Sequence, residues 1–313
     1  MLLIDVSFTD LYLSPTGEPP FMKEHTSGPL TPVPEELREE AIHLARSLPG
    51  RGGERREFAV SWGGVTYRVA RIEAVDGIWY TLRRGPRQVL SIYDIGLHPA
   101  LVRELIELNR RPGLFIVCGK TGEGKSWTAA SILQSWLESF GDVAVTIEDP
   151  PELPLNGWKG RGRCFQMMVP ENEFGAALVG AMRYTPRYIL LGEVRSKAAA
   201  REALRASVNG HAVITTMHAG SIQESLHRLL DLGGGDDADG HKWVQGVLAE
   251  GLSGVLHQHL ITDGENRRLE ARFLFCGPGA GDPARALIRE GKIEQLGTLI
   301  EAQSARLLRS THT

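Results

Sequence analysis

The sequence predicts an α/β fold in which a small α+β domain precedes a larger domain with a largely parallel sheet. The 313 residues are enough for two hydrophobic cores. In the first part of the chain, a helical segment is followed by three segments in which apolar and polar residues alternate, as they do in antiparallel strands. From residue 114 onward, short apolar segments alternate with helical ones, a pattern typical of parallel sheets. We therefore predict domains at 1–92 and 93–313.

The first domain is predicted to open with an apolar strand at 2–8, followed by a Pro- and Gly-rich loop at 13–34. A helix is expected at 34–48, because Pro34 stands near the first turn and acidic residues follow it. The alternating segments predict an antiparallel meander with strands at 57–62, 65–75 and 77–84. Residues 85–96 predict the linker between the domains.

The second domain is predicted to contain four short apolar strands followed by a hairpin. The four strands are expected at 114–118, 143–147, 188–192 and 212–217, and the hairpin strands at 259–262 and 267–275. Helices are expected at 98–113, 126–140, 173–184, 197–210 and 224–232, and two more begin near Asp282. The Gly- and Asp-rich residues 233–240 predict a flexible loop. We do not read this loop as a calcium site, because glycines occupy two of its ligand positions.

Composition argues against several classes of protein. The formal net charge is −3 with both signs interspersed, which is not typical of a protein that coats nucleic acids. The three cysteines are far apart and indicate neither a disulfide framework nor a zinc site. The first residues lack the features of a signal peptide, and no apolar run approaches the roughly 20 residues that span a bilayer. We expect a cytosolic protein whose membrane contact, if any, is through partners.

The segment 118–127, CGKTGEGKSW, contains the phosphate-binding pattern G-x-x-x-x-G-K-S between a predicted strand and a predicted helix. Glycines let backbone N–H groups converge on phosphate oxygens, and the helix N-terminus adds positive potential. Lys125 would bridge the β- and γ-phosphates, and the Ser126 hydroxyl would ligate Mg²⁺. We predict a nucleoside triphosphate site formed by Gly119, Lys120, Thr121, Gly122, Glu123, Gly124, Lys125, Ser126 and Trp127.

Polar residues follow three other predicted strands at the point where each strand ends. Glu148 and Asp149 follow one strand, Glu193 follows the next, and His218 follows a third. Because the carboxyl ends of parallel strands share one edge of the sheet, these residues should converge on the phosphate loop. We give Glu193 the role of orienting the attacking water. An acid can also merely terminate a strand, and a lone histidine can equally be structural.

Four boxes in order resemble the Walker A, Asp, Walker B and His boxes of the type II/IV secretion ATPases. They are GKTGEGKS at 119–126, TIEDPPEL at 146–153, PRYILLGEVR at 186–195 and GHAVITTMH at 210–218. The resemblance covers nearly the whole chain and places it in the PilT- and DotB-like branch. It implies a RecA-like P-loop ATPase domain, with C-terminal helices, behind a smaller N-terminal α+β domain that is PAS-like. It also implies a hexameric ring on the cytoplasmic face of an inner-membrane machine, where platform proteins would be its partners.

The resemblance also implies roles for individual residues. Glu193 matches the catalytic glutamate, which would reach Mg²⁺ through water, and Glu148 and Asp149 match the Asp-box acids near the metal. The remaining matches, all assigned to catalysis, are His211 and His218 of the His box and Arg68 and Arg83 of the N-terminal domain. The two arginines would reach the γ-phosphate, where transferring phosphoryl groups need positive charge. From their positions alone, both arginines would be ordinary residues on a sheet surface.

Five residues depart from the family pattern: Glu123, Trp127, Arg187, Ser196 and Asp76. Glu123 would weaken ATP binding by charge repulsion unless its side chain turns outward, and Asp76 stands where many relatives carry an arginine. None of the departures removes a chemically required group, so we expect ATPase activity.

The sequence therefore predicts a Mg-ATP-hydrolysing ring motor for a pilus, conjugation or secretion system, in which the first domain rotates about the linker. The C-terminal segment 284–300 is either a plain amphipathic helix or, given the resemblance, an element that transmits motion to the membrane platform. A RecA-like nucleic-acid translocase is the second hypothesis, and the near-neutral charge and the lack of an obvious basic–aromatic stripe argue against it. A third hypothesis is a scaffold that binds ATP without turnover.

Overall fold

The computed structural model describes residues 2–25, 27–263, 266–279 and 281–309. The chain divides into two compact units, which we call the first and the second unit. The first comprises residues 1–89 together with 149–154, and the second comprises 90–148 together with 155–313. The short segment 149–154 thus belongs to the first unit although it follows a strand of the second, so no single cut of the chain reproduces this division.

The first unit is built around a six-stranded antiparallel sheet in the order β3-β2-β1-β6-β5-β4. Its strands are β1 (Asp10–Leu13), β2 (Phe21–Lys23), β3 (Thr31–Pro32), β4 (Glu57–Trp62), β5 (Val65–Ala74) and β6 (Gly77–Arg84), and its helix is α1 (Glu35–Gly52). The predicted meander is confirmed, since β4 pairs with β5 and β5 with β6 in antiparallel register. Helix α1 buries Leu37, Leu44 and Leu48. These leucines lie one to three turns apart on the helix, so they share the face that packs on the sheet.

The predicted opening strand at 2–8 is wrong. Residues Leu3–Asp5 form a 3₁₀ turn instead, because the Asp5 carboxylate accepts a hydrogen bond of 2.9 Å from the Leu2 N–H. Such a local side-chain bond offers the backbone an alternative to strand pairing. The predicted loop at 13–34 also contains strands β2 and β3, which lie at one edge of the sheet.

The second unit has an eight-stranded mixed sheet in the order β14-β13-β7-β12-β11-β8-β10-β9. Its strands are β7 (Gly113–Gly119), β8 (Asp142–Glu148), β9 (Gly157–Lys159), β10 (Gly162–Met168), β11 (Tyr188–Leu191), β12 (Ala212–His218), β13 (Leu252–Asp263) and β14 (Asn266–Phe275). Its helices are α2 (Pro99–Glu107), α3 (Lys125–Phe140), α4 (Phe174–Met182), α5 (Lys197–Val208), α6 (Ile222–Gly234), α7 (Ala238–Gly251), α8 (Pro283–Arg289) and α9 (Leu296–Arg309).

The central strands β13, β7, β12, β11, β8 and β10 are parallel, and the two described edge strands, β14 and β9, run antiparallel to their neighbours. Every residue of β7 and β11 is buried, which is the pattern of strands covered on both faces. The four predicted parallel strands are confirmed.

Three features of the second unit differ from the prediction. Strands β9 and β10 were not predicted, and β13 begins at Leu252, seven residues before the predicted hairpin strand. The predicted loop at 233–240 shrinks to 235–237, because the Asp237 carboxylate accepts hydrogen bonds from the Asp239 and Gly240 N–H groups and starts α7. The tip of the predicted hairpin, 264–265, lies outside the described residues.

The packing of the second unit can be tested at Trp136 of α3. Its ring is 1% exposed, and its indole N–H donates a hydrogen bond of 3.0 Å to the Leu105 carbonyl. Trp136→Ala should lower the free energy of unfolding by about 3–5 kcal/mol, because it leaves a cavity and removes the hydrogen bond to the Leu105 carbonyl. Urea titrations followed by circular dichroism measure this, with Trp158→Ala as the control because Trp158 is 71% exposed. Equal midpoints for the two variants would contradict the prediction.

The three cysteines are buried and free. Burial raises the pKa of each thiol to about 12. Among the described residues, no helix combines the length and the apolar character needed to cross a membrane.

Candidate functional site

The phosphate-binding motif lies where the sequence predicts it, between the end of β7 and the start of α3. Thr121, Gly122 and Ser126 are exposed, whereas the preceding strand is buried throughout. Helix α3 begins at Lys125 after Gly124, whose side-chain-free position offers no capping group. The N–H groups of the first helical turn have no acceptor within the helix, so this end of α3 is suited to an anion.

Three glycines give the loop its shape. Gly122 and Gly124 have φ values of +82° and +80°, which side-chain-bearing residues rarely adopt. Gly119 has φ of +157°, and a Cβ there would lie 2.6 Å from the carbonyl oxygen of Gln258 on β13. The loop therefore requires glycine for its turns and for its close approach to the neighbouring strand.

Lys125 points back into the loop. Its side chain is largely buried, and Nζ donates a hydrogen bond of 2.8 Å to the Lys120 carbonyl. Burial lowers the pKa of Lys125, and the nearby Glu193 carboxylate opposes this shift. The residue is thus a cation fixed among backbone groups, as a phosphate-binding lysine must be.

His218 joins the loop to Glu193. Strand β12 pairs with β7 so that His218 stands opposite Gly119. Its Nδ1 lies 3.4 Å from both Lys125 Nζ and Thr121 Oγ1, and its Nε2 lies 3.5 Å from Glu193 Oε1. Burial is the main cause that lowers the pKa of His218, and the cations Lys125, Arg195 and Arg228 act in the same direction against Glu193. A neutral ring that accepts at Nδ1 and carries its proton on Nε2 fits these neighbours.

Glu193 follows β11, as predicted, and its side chain is 18% exposed. Arg195 Nη2 lies 2.6 Å from Glu193 Oε2, and Arg195 Nη1 lies 3.0 Å from Glu171 Oε2. The hydrogen bond with Glu193 is the main cause that raises the pKa of Arg195. Our prediction did not include Arg195, although it closes the Walker B box. It fixes one oxygen of Glu193 and leaves the other on the side of His218.

Glu148 ends β8, and its carboxylate is held within the sheet. Thr146 Oγ1 donates to Glu148 Oε1 at 2.7 Å, and Gln166 Nε2 of β10 donates to the same oxygen at 2.9 Å. β11 lies beside β8, so Glu148 and Glu193 stand at the same edge of the sheet. The role of Gln166 was missed because β10 was missed.

The Glu123 side chain turns toward β13. Its Oε1 accepts a hydrogen bond of 2.8 Å from His259 Nδ1, and its Oε2 accepts one from the Leu260 N–H. Burial pushes the pKa of Glu123 up, but the bonds from Leu260 and His259 outweigh it and the pKa is lowered. The Glu123 side chain therefore points neither into the loop nor into solvent but toward β13. This orientation reduces the repulsion that we predicted between its charge and the phosphates.

The structure separates His211 from this group. His211 precedes the first residue of β12, and its Nδ1 lies 2.6 Å from the Pro186 carbonyl. His218 ends the same strand, and a strand of this length spans about 23 Å at about 3.3 Å per residue. Within one chain, His211 holds the turn before β11 and does not meet the phosphate loop.

Arg68, Arg83 and Asp149 belong to the first unit, and Arg68 stands opposite Arg83 in the pairing of β5 with β6. Arg68 Nη1 lies 2.7 Å from Glu152 Oε1, and Arg83 Nε lies 2.9 Å from Asp10 Oδ1. Both guanidinium groups are thus held by carboxylates of their own unit. Asp149 begins the segment that returns to this unit and is exposed.

The donors at the loop fit Mg²⁺ held jointly with a nucleotide. Among the described residues, no group of three or more His, Cys, Asp or Glu side chains could hold a metal ion by itself. Magnesium in nucleotide sites keeps water and phosphate ligands and needs few from the protein. The exposed Ser126 hydroxyl in the first turn of α3 is of the kind it uses there, while Trp127 beside it is half-buried.

Comparison with known proteins identifies the family of the chain. Residues 49–296 match the family described as Type II/IV secretion system protein. The chain belongs to this family. The resemblance seen in the four boxes is thereby confirmed.

Two relatives of the family come from Pseudomonas aeruginosa. The chain is 28% identical over 316 residues to the type IV pilus ATPase PilU, covering 96% of this chain and 78% of PilU. It is 31% identical over 246 residues to the type IV pilus retraction ATPase PilT, covering 78% of this chain and 69% of PilT. Among solved structures, the pilus retraction motor PilT with bound ADP matches with a TM-score of 0.74 and 28% identity, covering 96% of this chain and 87% of that one. The predicted fold class, a RecA-like α/β ATPase domain with a smaller N-terminal domain, is confirmed.

Proposed function

We propose that the chain is one subunit of a hexameric, Mg-dependent ATPase motor that powers a type IV pilus, conjugation or secretion machine from the cytoplasmic face of the inner membrane. One observation supports ATP hydrolysis above all others. His218 lies within 3.5 Å of both the loop lysine, Lys125, and the acid of the Walker B box, Glu193. The group that binds phosphate and the group that orients water are therefore parts of one site.

The residues divide the work as follows. The N–H groups of the loop and the first turn of α3 bind the phosphates of ATP, and Lys125 neutralises charge at the β- and γ-phosphates. Ser126 would hold Mg²⁺, with Glu148 of the same unit as a further acid for the metal site, and the metal would neutralise charge that develops on the phosphoryl oxygens. Glu193 orients the attacking water through the oxygen that Arg195 does not hold. His218 contacts both Lys125 and Glu193 and so couples the position of the loop lysine to that of the water-orienting acid.

Three further residues, Arg68, Arg83 and His211, would act on a nucleotide that is bound by a neighbouring subunit. Arg68 and Arg83 would exchange their carboxylate partners, Glu152 and Asp10, for the γ-phosphate of a nucleotide bound by a neighbour. His211 would act only across such an interface, because in its own chain it lies at the far end of β12.

A ring is expected to form when nucleotide binds. Sedimentation velocity should show a species of six chains with a non-hydrolysable ATP analogue and Mg²⁺, and smaller species after nucleotide and metal are removed. The nucleotide would complete the contact between subunits, because Arg68 and Arg83 of one chain would reach the γ-phosphate bound by the loop of its neighbour. A chain that stays monomeric with every nucleotide would contradict the ring.

One observation favours the nucleic-acid translocase as a second candidate. The sequence has no obvious basic–aromatic stripe, but in the structure the exposed rings of Trp158 and Phe165 flank Arg163 on β9 and β10. The Arg163 guanidinium carbon lies 5.8 Å and 5.2 Å from the two ring centroids. Single-stranded nucleic acids bind such groups. ATPase stimulation by single-stranded DNA that falls steeply with salt and is lost in Arg163→Glu would establish this candidate.

The scaffold without turnover loses most of its support. Glu123 is bound to β13, and Ser196 caps α5 by accepting a hydrogen bond from the Ala199 N–H. Asp76 accepts a hydrogen bond of 3.3 Å from the Trp79 indole N–H. Each of these departures has a local structural partner, so Glu123 and Ser196 no longer argue against hydrolysis, and Asp76 remains a position without the arginine that many relatives carry.

A further inference from the structure

A phosphate-binding loop is an unfavourable place for a carboxylate. Glu123 stands between two glycines of the loop, a few residues from the lysine that would bind the phosphates. A negative charge in the loop repels the phosphates of a nucleotide, and the repulsion is stronger where water is excluded. The chain therefore needs a means of keeping the Glu123 charge away from its ligand.

The contacts of the Glu123 carboxylate provide that means. Its side chain is 10% exposed, and each of its two oxygens accepts one hydrogen bond from β13. Because the pKa of Glu123 is lowered, the carboxylate is ionised and only accepts hydrogen bonds. His259 Nδ1 must therefore carry the proton in this bond.

A separate contact holds the loop backbone. Gln258 Nε2 donates a hydrogen bond of 2.5 Å to the Glu123 carbonyl oxygen, and the Gln258 side chain is buried. This bond does not depend on the Glu123 side chain, so the loop stays attached to β13 when that side chain is changed. The carboxylate contact thus controls where the charge lies and leaves the path of the backbone unaltered.

We propose that His259 is a positioning residue that holds the Glu123 carboxylate on β13 and so keeps its charge away from the nucleotide phosphates. The proposal rests on nucleotide binding at this loop, which is part of the proposed function. Without His259, one oxygen of Glu123 loses its partner, and the bond from the Leu260 N–H to the other oxygen is left to hold the side chain on β13. The side chain then turns toward the loop for part of the time. Nucleotide affinity then falls, and it falls only while residue 123 carries a charge.

The test measures binding of a fluorescent ADP, N-methylanthraniloyl-ADP, to the full chain by anisotropy, without any hydrolysis step. His259→Ala should weaken binding about fivefold to tenfold, the effect of losing a hydrogen bond to a charged group at a partly exposed site. Glu123→Gln should bind more tightly than the parent chain, because it removes a charge that repels the phosphates even from its position on β13. In the double variant His259→Ala should have no further effect, because the charge that it controls is gone.

His227→Ala is the matched control. His227 pairs with Glu294 at 3.0 Å on the same unit, outside the loop, so the control removes a similar His–Glu contact and should leave binding unchanged.

A purely structural role for His259 would give a different result, since the loss would persist in the Glu123→Gln background. Such a persistent loss would overturn the proposal. So would an unchanged affinity in His259→Ala, and so would a weaker affinity in Glu123→Gln alone. Lys125→Ala separates this failure from failure of the proposed function. If the parent chain binds and Lys125→Ala does not, only the role of His259 fails, whereas both fail if the parent chain does not bind.

Discussion

Lys125→Ala should reduce nucleotide affinity by at least a hundredfold and abolish ATP hydrolysis. Lys125 is the loop's buried cation, and its ammonium already lies among backbone groups of the loop, 2.8 Å from the Lys120 carbonyl. Its position requires little reorganisation when phosphates arrive, so most of its electrostatic attraction contributes to binding. Anisotropy with the fluorescent ADP measures the affinity, and phosphate release measures the turnover.

Lys242→Ala is the control for Lys125→Ala. Lys242 is an exposed lysine of α7 in the same unit, so its loss changes the net charge equally without touching the loop. Circular dichroism should show that both variants are folded. Retention of normal affinity in Lys125→Ala would place the nucleotide elsewhere and remove the basis of the proposed function.

The loop could be predicted from sequence because its determinants are local. Glycines with positive φ, a strand before them and a helix after them all lie within a few neighbouring residues, and each constrains the same backbone. The positions of Glu193 and His218 followed from one further rule, that parallel strands end at a common edge. Both predictions needed only the order of the segments.

The contacts of the loop with β13 could not be predicted because they join distant parts of the chain. Glu123 meets His259 and Leu260 only because β13 lies beside β7 in the sheet. The segment 252–258 was not recognised as a strand, since His257 and Gln258 obscure the apolar pattern of a buried strand. His211 shows the reverse case: sequence motifs group it with His218, but the two lie at opposite ends of β12.

Glu193→Gln should lower the turnover number about a hundredfold or more and leave nucleotide affinity within about threefold. The amide has nearly the same size as the carboxylate and keeps one oxygen, so the side chain should pack as it does in the parent chain. It cannot attract a proton from water as a carboxylate does, so the effect falls on the chemical step. A loss of kcat without a rise in the dissociation constant is the signature of a group that acts only in the transition state.

Glu171→Gln tests whether this loss belongs to Glu193 alone. Glu171 and Glu193 are both bound to Arg195, at 3.0 Å and 2.6 Å, so the same chemical change removes one charge partner of the same arginine in either case. Glu193 also faces His218 and, through it, the loop lysine. Glu171→Gln should therefore turn over ATP almost as fast as the parent chain. Equal losses in the two variants would mean that the Arg195 ion pairs matter as a group, and that another residue orients the water.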